Sequence, residues 1–250
     1  MKKQIRLVLE RLGYRIEGIR YTPRPFLRPE RLRRLQFDDV VCRRIFEHGG
    51  DFVFVQVGAF DGLAADPLRK YIQRCGWRGV MLEPQPGPAA RLRALYAQKP
   101  EIVVLNAAVD RTAGLRSLYV LEGENLPDWA GGMASFDRDH LLRHDYVVPG
   151  IESMVREIQI DCITFDDVLG HLPEDRVDLL QIDAEGADGF VLSLFPFDRV
   201  RPAIVHWESK NMTKLQQEQT LDRLFGYGYR VARSGEEDSL AVLNEVGLSV

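Results

Sequence analysis

The stretch FVFVQVGAFDG, residues 52–62, decides the fold. Its first six residues form a short apolar run of strand length, which feeds straight into a loop opening on Gly58 and closing on Gly62. Glycine lets the backbone turn sharply and approach a ligand, and doubly wound sheets bind cofactors at such strand ends. Four further apolar runs follow: GVMLE at 79–83, EIVVLNAAV at 101–109, VDLLQID at 177–183 and PAIVHWE at 202–208. Helices are predicted between them over 66–75, 88–98 and 187–195. Runs that are apolar on both faces and alternate with helices predict a mainly parallel sheet covered on both sides. The class is α/β: a Rossmann-like, doubly wound sheet, ended by an antiparallel pair from YGYRVARSG and SLAVLNEV with Ser234 to Asp238 as the turn.

The loop narrows the ligand. A dinucleotide site wants G-x-G-x-x-G opening a helix, so that a pyrophosphate meets bare amides. Here Phe60 stands two after Gly58, and Asp61 would repel phosphate. The P-loop Lys and Ser/Thr are missing as well. S-adenosylmethionine carries no phosphate, and its ammonium and sulfonium suit an acidic loop. Glu83 ends the second run, 25 positions after Gly58, near the offset at which an acid accepts hydrogen bonds from a ribose diol. The alternative for the pair is a plain βα turn and a solvated strand end. Asn106, Ala107 and Ala108 close the third run and are placed beside the adenine, although ordinary strand-end residues would look the same.

The fourth run ends in QIDAEGAD, residues 181–188, with Asp183 at the strand tip next to the first strand. Unpaired carboxylates are costly to bury, so Asp183 is read as functional, while Asp188, with Glu185 as a second candidate, is read as a helix cap. Methyl transfer to a hydroxyl needs a group to remove the proton. Asp183, Glu185, His206 and Glu208 are the candidates, with His140 or His144 from the insertion. His206 has an alternative reading as an internally hydrogen-bonded strand histidine.

Between the third and fourth runs lies a long segment, 110–176, with strands predicted at LRSLYVL (115–121) and REIQIDCITF (156–165) around an irregular stretch. Such an insertion suits substrate recognition or a lid, with Ser135 among its contacts. His140 and His144 are one helical turn apart, but the H-E-x-x-H arrangement is absent and no metal role is expected.

With 45% hydrophobic residues in 250, one sizeable domain is expected. The boundaries are drawn as a helical extension with a Pro-rich linker over 1–50 and the catalytic domain over 51–250, with the insertion at about 110–160. Thirty-three basic against 37 acidic residues give a net charge of -4, which argues against a nucleic-acid partner. Three scattered cysteines, Cys42, Cys75 and Cys162, fit a reducing, cytoplasmic compartment. Ile5, Val8, Leu9 and Leu12 predict a short basic amphipathic helix over 3–12. It is expected to pack on its own domain, with peripheral membrane contact as the alternative. Glu10 and Glu17 break any signal-peptide core, and no apolar stretch is long enough to span a bilayer.

Taken together, FVQVGAFDGLAADPL (54–68), GVMLEPQP (79–86), LNAAV (105–109), GMASFDRDHLLRH (132–144), IDCITFDDVL (160–169), DLLQIDAEGADGFVL (178–192) and IVHWESKNM (204–212) resemble the FkbM-type methyltransferases. The resemblance implies a Rossmann-like methyltransferase fold, S-adenosylmethionine as donor, and O-methylation of a sugar in a glycan, lipopolysaccharide or glycosylated natural product. On matching positions it implies the glycine loop Gly58 to Gly62, including Ala59 and Asp61, as cofactor site, Glu83 as ribose acid, and Asp183 and Glu185 as signature acids. Gln56 departs from the pattern, since many members carry an acid there, and this bears on a hydrogen bond near the cofactor's amino-acid group. Two other function classes stand beside this one: a dinucleotide-dependent oxidoreductase or epimerase, and a non-catalytic scaffold in glycan assembly.

Overall fold

The computed structural model describes residues 34–123, 126–173 and 176–243. The helix expected over 3–12 and the linker at 21–29 lie outside them. An eight-stranded sheet forms the centre. Its parallel part holds β2 (Val53–Val57), β3 (Arg78–Leu82), β4 (Ile102–Leu105), β9 (Leu179–Ile182) and β10 (Ile204–Glu208). β11 (Tyr229–Ser234) and β12 (Asp238–Leu243) make the antiparallel pair, and β1 (Arg34–Leu35) lies on the edge. The order is β1-β11-β12-β10-β9-β2-β3-β4. The chain winds one way from β2 through β3 to β4 and the other way from β9 to β10. The reversal lies between β2 and β9, where Val57 stands opposite Ile182, and a crevice opens at such a switch point.

Both faces of the sheet are dry because alternate side chains enter different cores. Val55, Val57, Leu180, Ile182, Val205 and Trp207 join one. Phe54, Leu179 and Ile204 join the other, with Phe37, Val41 and Ile45 of α1 (Phe37–His48). Those three α1 residues recur every four positions, the spacing of one helix face. The expected intervening helices are α2 (Arg69–Cys75), α3 (Pro86–Leu95) and α6 (Asp188–Leu194). The last helix, α7 (Lys214–Gly226), is opened by a reciprocal Thr213–Gln216 capping box.

The run 101–109 is not one strand. β4 stops at Leu105, and β5 (Ala108–Val109) leaves for a second sheet of order β5-β8-β6-β7. The break is pinned by Asn106, whose Nδ2 donates to the carbonyls of Glu83 and Pro84, both at 2.9 Å. The second sheet carries the insertion: β6 (Gly114–Leu121), β7 (Ala134–Ser135) and β8 (Val155–Ile163). The strand predicted to reach 165 ends sooner, because Thr164 caps α5 (Phe165–Leu169) in a second capping box with Asp167. Between β7 and β8, α4 (Arg138–Leu142) helps enclose a small core of Leu121, Ala130, Met133, Leu141, Val148 and Ile151.

Candidate active site

The glycine loop is held by its neighbours. The amides of Gly58 and Ala59 both donate to the Leu82 carbonyl at 3.0 Å. Gly58 has φ +78°, and a Cβ there would lie 1.8 Å from the carbonyl oxygen of Asp183. The ends of β2 and β9 therefore touch, and only glycine fits between them. At Gly62 (φ +71°) the obstacle is the Leu92 side chain, 2.6 Å from an added Cβ.

Glu83 ties two loops together. Its Oε2 accepts from the Phe60 amide at 2.9 Å and its Oε1 from the Gln85 amide at 2.8 Å. Each oxygen keeps a second lone pair for a ligand. Burial pushes the carboxyl up to about 7, against the lowering effect of the two amides. Asp61 serves its own loop: Oδ1 accepts from the amides of Leu63 and Ala64, and Arg91 stands 3.8 Å from Oδ2.

The acid loop after β9 faces this arrangement. Asp183 donates its amide to Val57 O at 2.9 Å. Its side chain opens to solvent at the crevice mouth, yet protein crowds it. That crowding first, then the charges of Glu208 and Asp238, raise its carboxyl to about 6. Burial, then Asp183 and Glu208, raise Glu185 to about 7. Lys210 lies among the acids, with Nζ 3.0 Å from Glu208 and 2.9 Å from Glu237. Glu185 has φ +46° and Gly186 φ +94°, and the ring of His140 lies 2.9 Å from where a Gly186 Cβ would be. His140, on α4, is thus packed against the acid loop.

Asp188 does not cap α6. It is the first helical residue, after Ala187 as N-cap, and its carboxylate reaches back to the amides of Ala184 and Gly186, both at 3.3 Å. It is fully buried. Burial, then Asp183 and Glu208, raise its carboxyl well above the usual range. An acid harder to ionise in the folded than in the unfolded state stabilises fully only below its unfolded value, and that contribution is lost as pH rises through the folded value. Asp188→Asn stays neutral throughout. Its melting temperature relative to wild type should therefore climb as pH rises from about 4 upwards, read by calorimetry at several pH values. A constant gap would refute the assignment.

Gly58, Glu83, Ala107, Ser135, Asp183 and Glu185 line one crevice. Gln85, Leu118, Phe136 and Phe190 complete its walls, and sequence reasoning missed them. Phe136 comes from the insertion, and Gln85 Nε2 anchors that segment by donating to Gly132 O at 3.2 Å. Gln56, Ala59, Asp61, Gly62 and Asn106 lie behind the wall, shaping the loops. Glu208 is buried beside the acids and bound by Asn211 at 2.8 Å. His206 stands apart: Phe37 covers its ring at 4.6 Å, and Nδ1 pairs with Gln181 Oε1 at 2.7 Å. Burial lowers it to about 4. The structure thus has the internally hydrogen-bonded strand histidine. Among the described residues no helix is long and apolar enough to cross a membrane.

Residues 56–231 match the family model described as the methyltransferase FkbM domain. No curated protein sequence matches the chain. Solved structures that resemble it include a precorrin-6y C5,15-methyltransferase from Geobacter metallireducens GS-15, at 13% identity and TM-score 0.40, covering 78% of this chain and 81% of that one. A methyltransferase FkbM from Methylobacillus flagellatus KT is 13% identical with TM-score 0.42, over 77% of this chain and 44% of that one. An RNA methyltransferase from Salinibacter ruber, in complex with S-adenosyl-L-homocysteine, is 11% identical with TM-score 0.35, over 86% and 97%.

Proposed function

The chain belongs to the FkbM methyltransferase family, and from that premise we propose that it is an S-adenosylmethionine-dependent O-methyltransferase acting on a sugar hydroxyl of a glycan, lipopolysaccharide or glycosylated natural product. The observation that carries this reading is the opening of Asp183 and Glu185 onto the crevice that Glu83 and the glycine loop also line. The residues present fit the cofactor by chemistry. Ala107, Val109, Leu118 and Phe136 offer an apolar slot for a planar base. Glu83 offers lone pairs to a ribose diol, and the acid loop offers negative charge to a cation. The bound cofactor supplies an electrophilic methyl group.

The protein's own task is then to hold a hydroxyl and take its proton. A general base works best with an affinity for protons near the operating pH, and the raised carboxyls of Asp183 and Glu185 meet that condition. Asp183 is assigned as the base and Glu185 as a hydrogen-bond acceptor for the acceptor hydroxyls. Phe136 and Phe190 give flat apolar walls against which a sugar ring packs. The insertion segment around Gly132 to Phe136, tied down by Gln85, limits water at the site. The odd number and wide spacing of Cys42, Cys75 and Cys162 support a reducing, cytoplasmic setting.

A nicotinamide dinucleotide fits poorly. The helix after the glycine loop begins only at Arg69, seven residues past Gly62, so no helix N-terminal amides stand at the loop for a pyrophosphate. Calorimetric titration with S-adenosylmethionine, S-adenosylhomocysteine and NADPH tests the donor, with binding of the first two expected. Transfer of tritiated methyl from the donor to methyl glycosides, nucleotide sugars and lipopolysaccharide, run beside phenols and amines, tests the acceptor. Label only on amines would sink the carbohydrate reading, and binding of NADPH alone would overturn the donor.

A further inference from the structure

The two aromatic walls of the crevice are each backed by a guanidinium. Arg116 lies 5.4 Å from the centroid of the Phe136 ring, and Arg111 lies 5.3 Å from that of Phe190. Their charges are used differently. Arg116 pairs with the buried carboxylate of Asp110. Arg111 is exposed, and among the described residues its guanidinium has no ion pair and no hydrogen bond; only its amide is engaged, donating to Asp110 Oδ1 at 2.6 Å. A guanidinium stacked on a ring keeps its N–H groups in its own plane, where their edge is available to an anion.

That charge stands in a second cleft of about 370 Å³, lined by Asp110, Arg111, Thr164, Asp166, Ser193 and Leu194. The volume is within the range of small-molecule sites. The cleft continues the crevice along two elements. Val109 lines the crevice, and Asp110, next in the chain, lines the cleft. On α6, Phe190 lines the crevice, whereas Ser193 and Leu194, three and four residues on, line the cleft. That spacing puts all three on one helix face, about 5 Å apart along the axis.

The lining decides what enters. Asp166 is held by Arg199 Nη2 at 2.7 Å, as Asp110 is held by Arg116, so Arg111 is the charge left over. Ser193 Oγ donates to Phe190 O at 2.6 Å, and Thr164 Oγ1 donates to Asp167 Oδ2 at 2.8 Å. Each hydroxyl has committed its one proton and offers the cleft only a lone pair. A matching ligand brings O–H donors for these oxygens and an anionic group for Arg111. A neutral sugar has only the first, an inorganic anion only the second, and an acidic sugar has both.

We propose that this cleft is an acceptor subsite for an acidic sugar residue, bearing a carboxylate or a phosphate, that adjoins the sugar to be methylated. The acceptor then crosses Phe190, with its anion on Arg111. This rests on the reading of the chain as a sugar O-methyltransferase and deepens it: the acceptor is an anionic oligosaccharide of at least two residues.

Tritiated methyl transfer by the full chain to matched acceptors tests the subsite. Glucuronic acid oligosaccharides are compared with their carboxyl-reduced forms, and phosphorylated oligosaccharides with their dephosphorylated forms. The wild type should favour the acidic member of one kind of pair roughly tenfold to a hundredfold in kcat/KM, mainly through KM, the size of a charge-assisted hydrogen bond. Which kind of pair shows the preference separates carboxylate from phosphate. Arg111→Gln should abolish the preference, and Arg111→Lys, which keeps the charge, should retain part of it. Equal use of both members of every pair by the wild type would overturn the subsite. A preference that survives Arg111→Gln, with both members slowed alike, would mean that Arg111 only supports Phe190, and would overturn it too. No label on any sugar would reject the carbohydrate reading itself, and the subsite with it, before any variant is compared.

Discussion

Gly58→Ala is expected to abolish S-adenosylhomocysteine binding and to lower the melting temperature by about 4 to 20 °C. Two separate costs add. Gly58 has φ +78°, a region in which an L side chain costs roughly 1 to 2 kcal/mol. The new Cβ would also lie 1.8 Å from the Asp183 carbonyl oxygen and 2.8 Å from its carbon. Backbone cannot rotate away as a side chain can, so β2 and β9 must part at the point where the Asp183 amide donates to Val57 O. Overpacking of this kind costs about 1 to 3 kcal/mol or more. A total near 2 to 5 kcal/mol is a large share of a typical stability of about 5 to 15 kcal/mol. Gly76→Ala is the control. Its φ of +69° is similar, and nothing lies within 4 Å of the added carbon, so it should lose only the dihedral cost. If the two variants melt alike, the contact between the strand ends is not what constrains Gly58.

That contact explains why so much of the site was legible in the sequence. In a parallel sheet, residues at the ends of neighbouring strands come together whatever the loops do. Gly58, Glu83 and Asp183 follow Val57, Leu82 and Ile182, and Val57 is the register partner of both of the others. Three short motifs far apart in the chain were therefore enough to predict their convergence. The same logic failed at His206. β10 is buried on both faces, so its apolar pattern does not say which face carries the odd-numbered residues. Only the packing of Phe37 from α1 shows that His206 points under that helix.

Other features had no local signal. The turn at Asn106 breaks an unbroken apolar run, and what enforces it is a pair of long-range bonds to the carbonyls of Glu83 and Pro84. The crevice walls at Leu118 and Phe136 come from a sheet whose pairing of β6 with β8 spans tens of residues, so their place could not be read from spacing. Asp188 looked like a cap because it begins a helix, but buried carboxylates take whichever amides are nearest, and those of Ala184 and Gly186 precede it. Spacing places His140 one helical turn from His144 but does not show that Gly186, which has no side chain, leaves room for its ring.

Asp183→Asn should lower turnover by about 10² to 10⁴, the contribution of a positioned general base, while making the free protein more stable at pH 8. The opposite signs follow from one property. The protein that crowds it, then the neighbouring Glu208 and Asp238, raise this carboxyl from 3.8 to about 6. Folding thus opposes its ionisation, so its contribution to stability is complete below about pH 4 and is lost as pH rises through about 6. Asparagine has no such loss. The wild-type rate should in turn fall as pH drops through about 6, since only the ionised carboxylate accepts a proton. Glu185→Gln separates the two acids, because its carboxyl lies near 7. If Asp183 is the base, the inflection near 6 disappears in Asp183→Asn and survives in Glu185→Gln. Glu185, raised to about 7, is still largely neutral when Asp183 ionises near 6, so Glu185→Gln should leave the surviving inflection close to its wild-type position. Turnover within about tenfold of wild type in Asp183→Asn would remove it from the chemistry. Loss of the inflection in Glu185→Gln alone would move the base two positions along the loop, to a residue whose positive φ already marks it as held against its backbone preference.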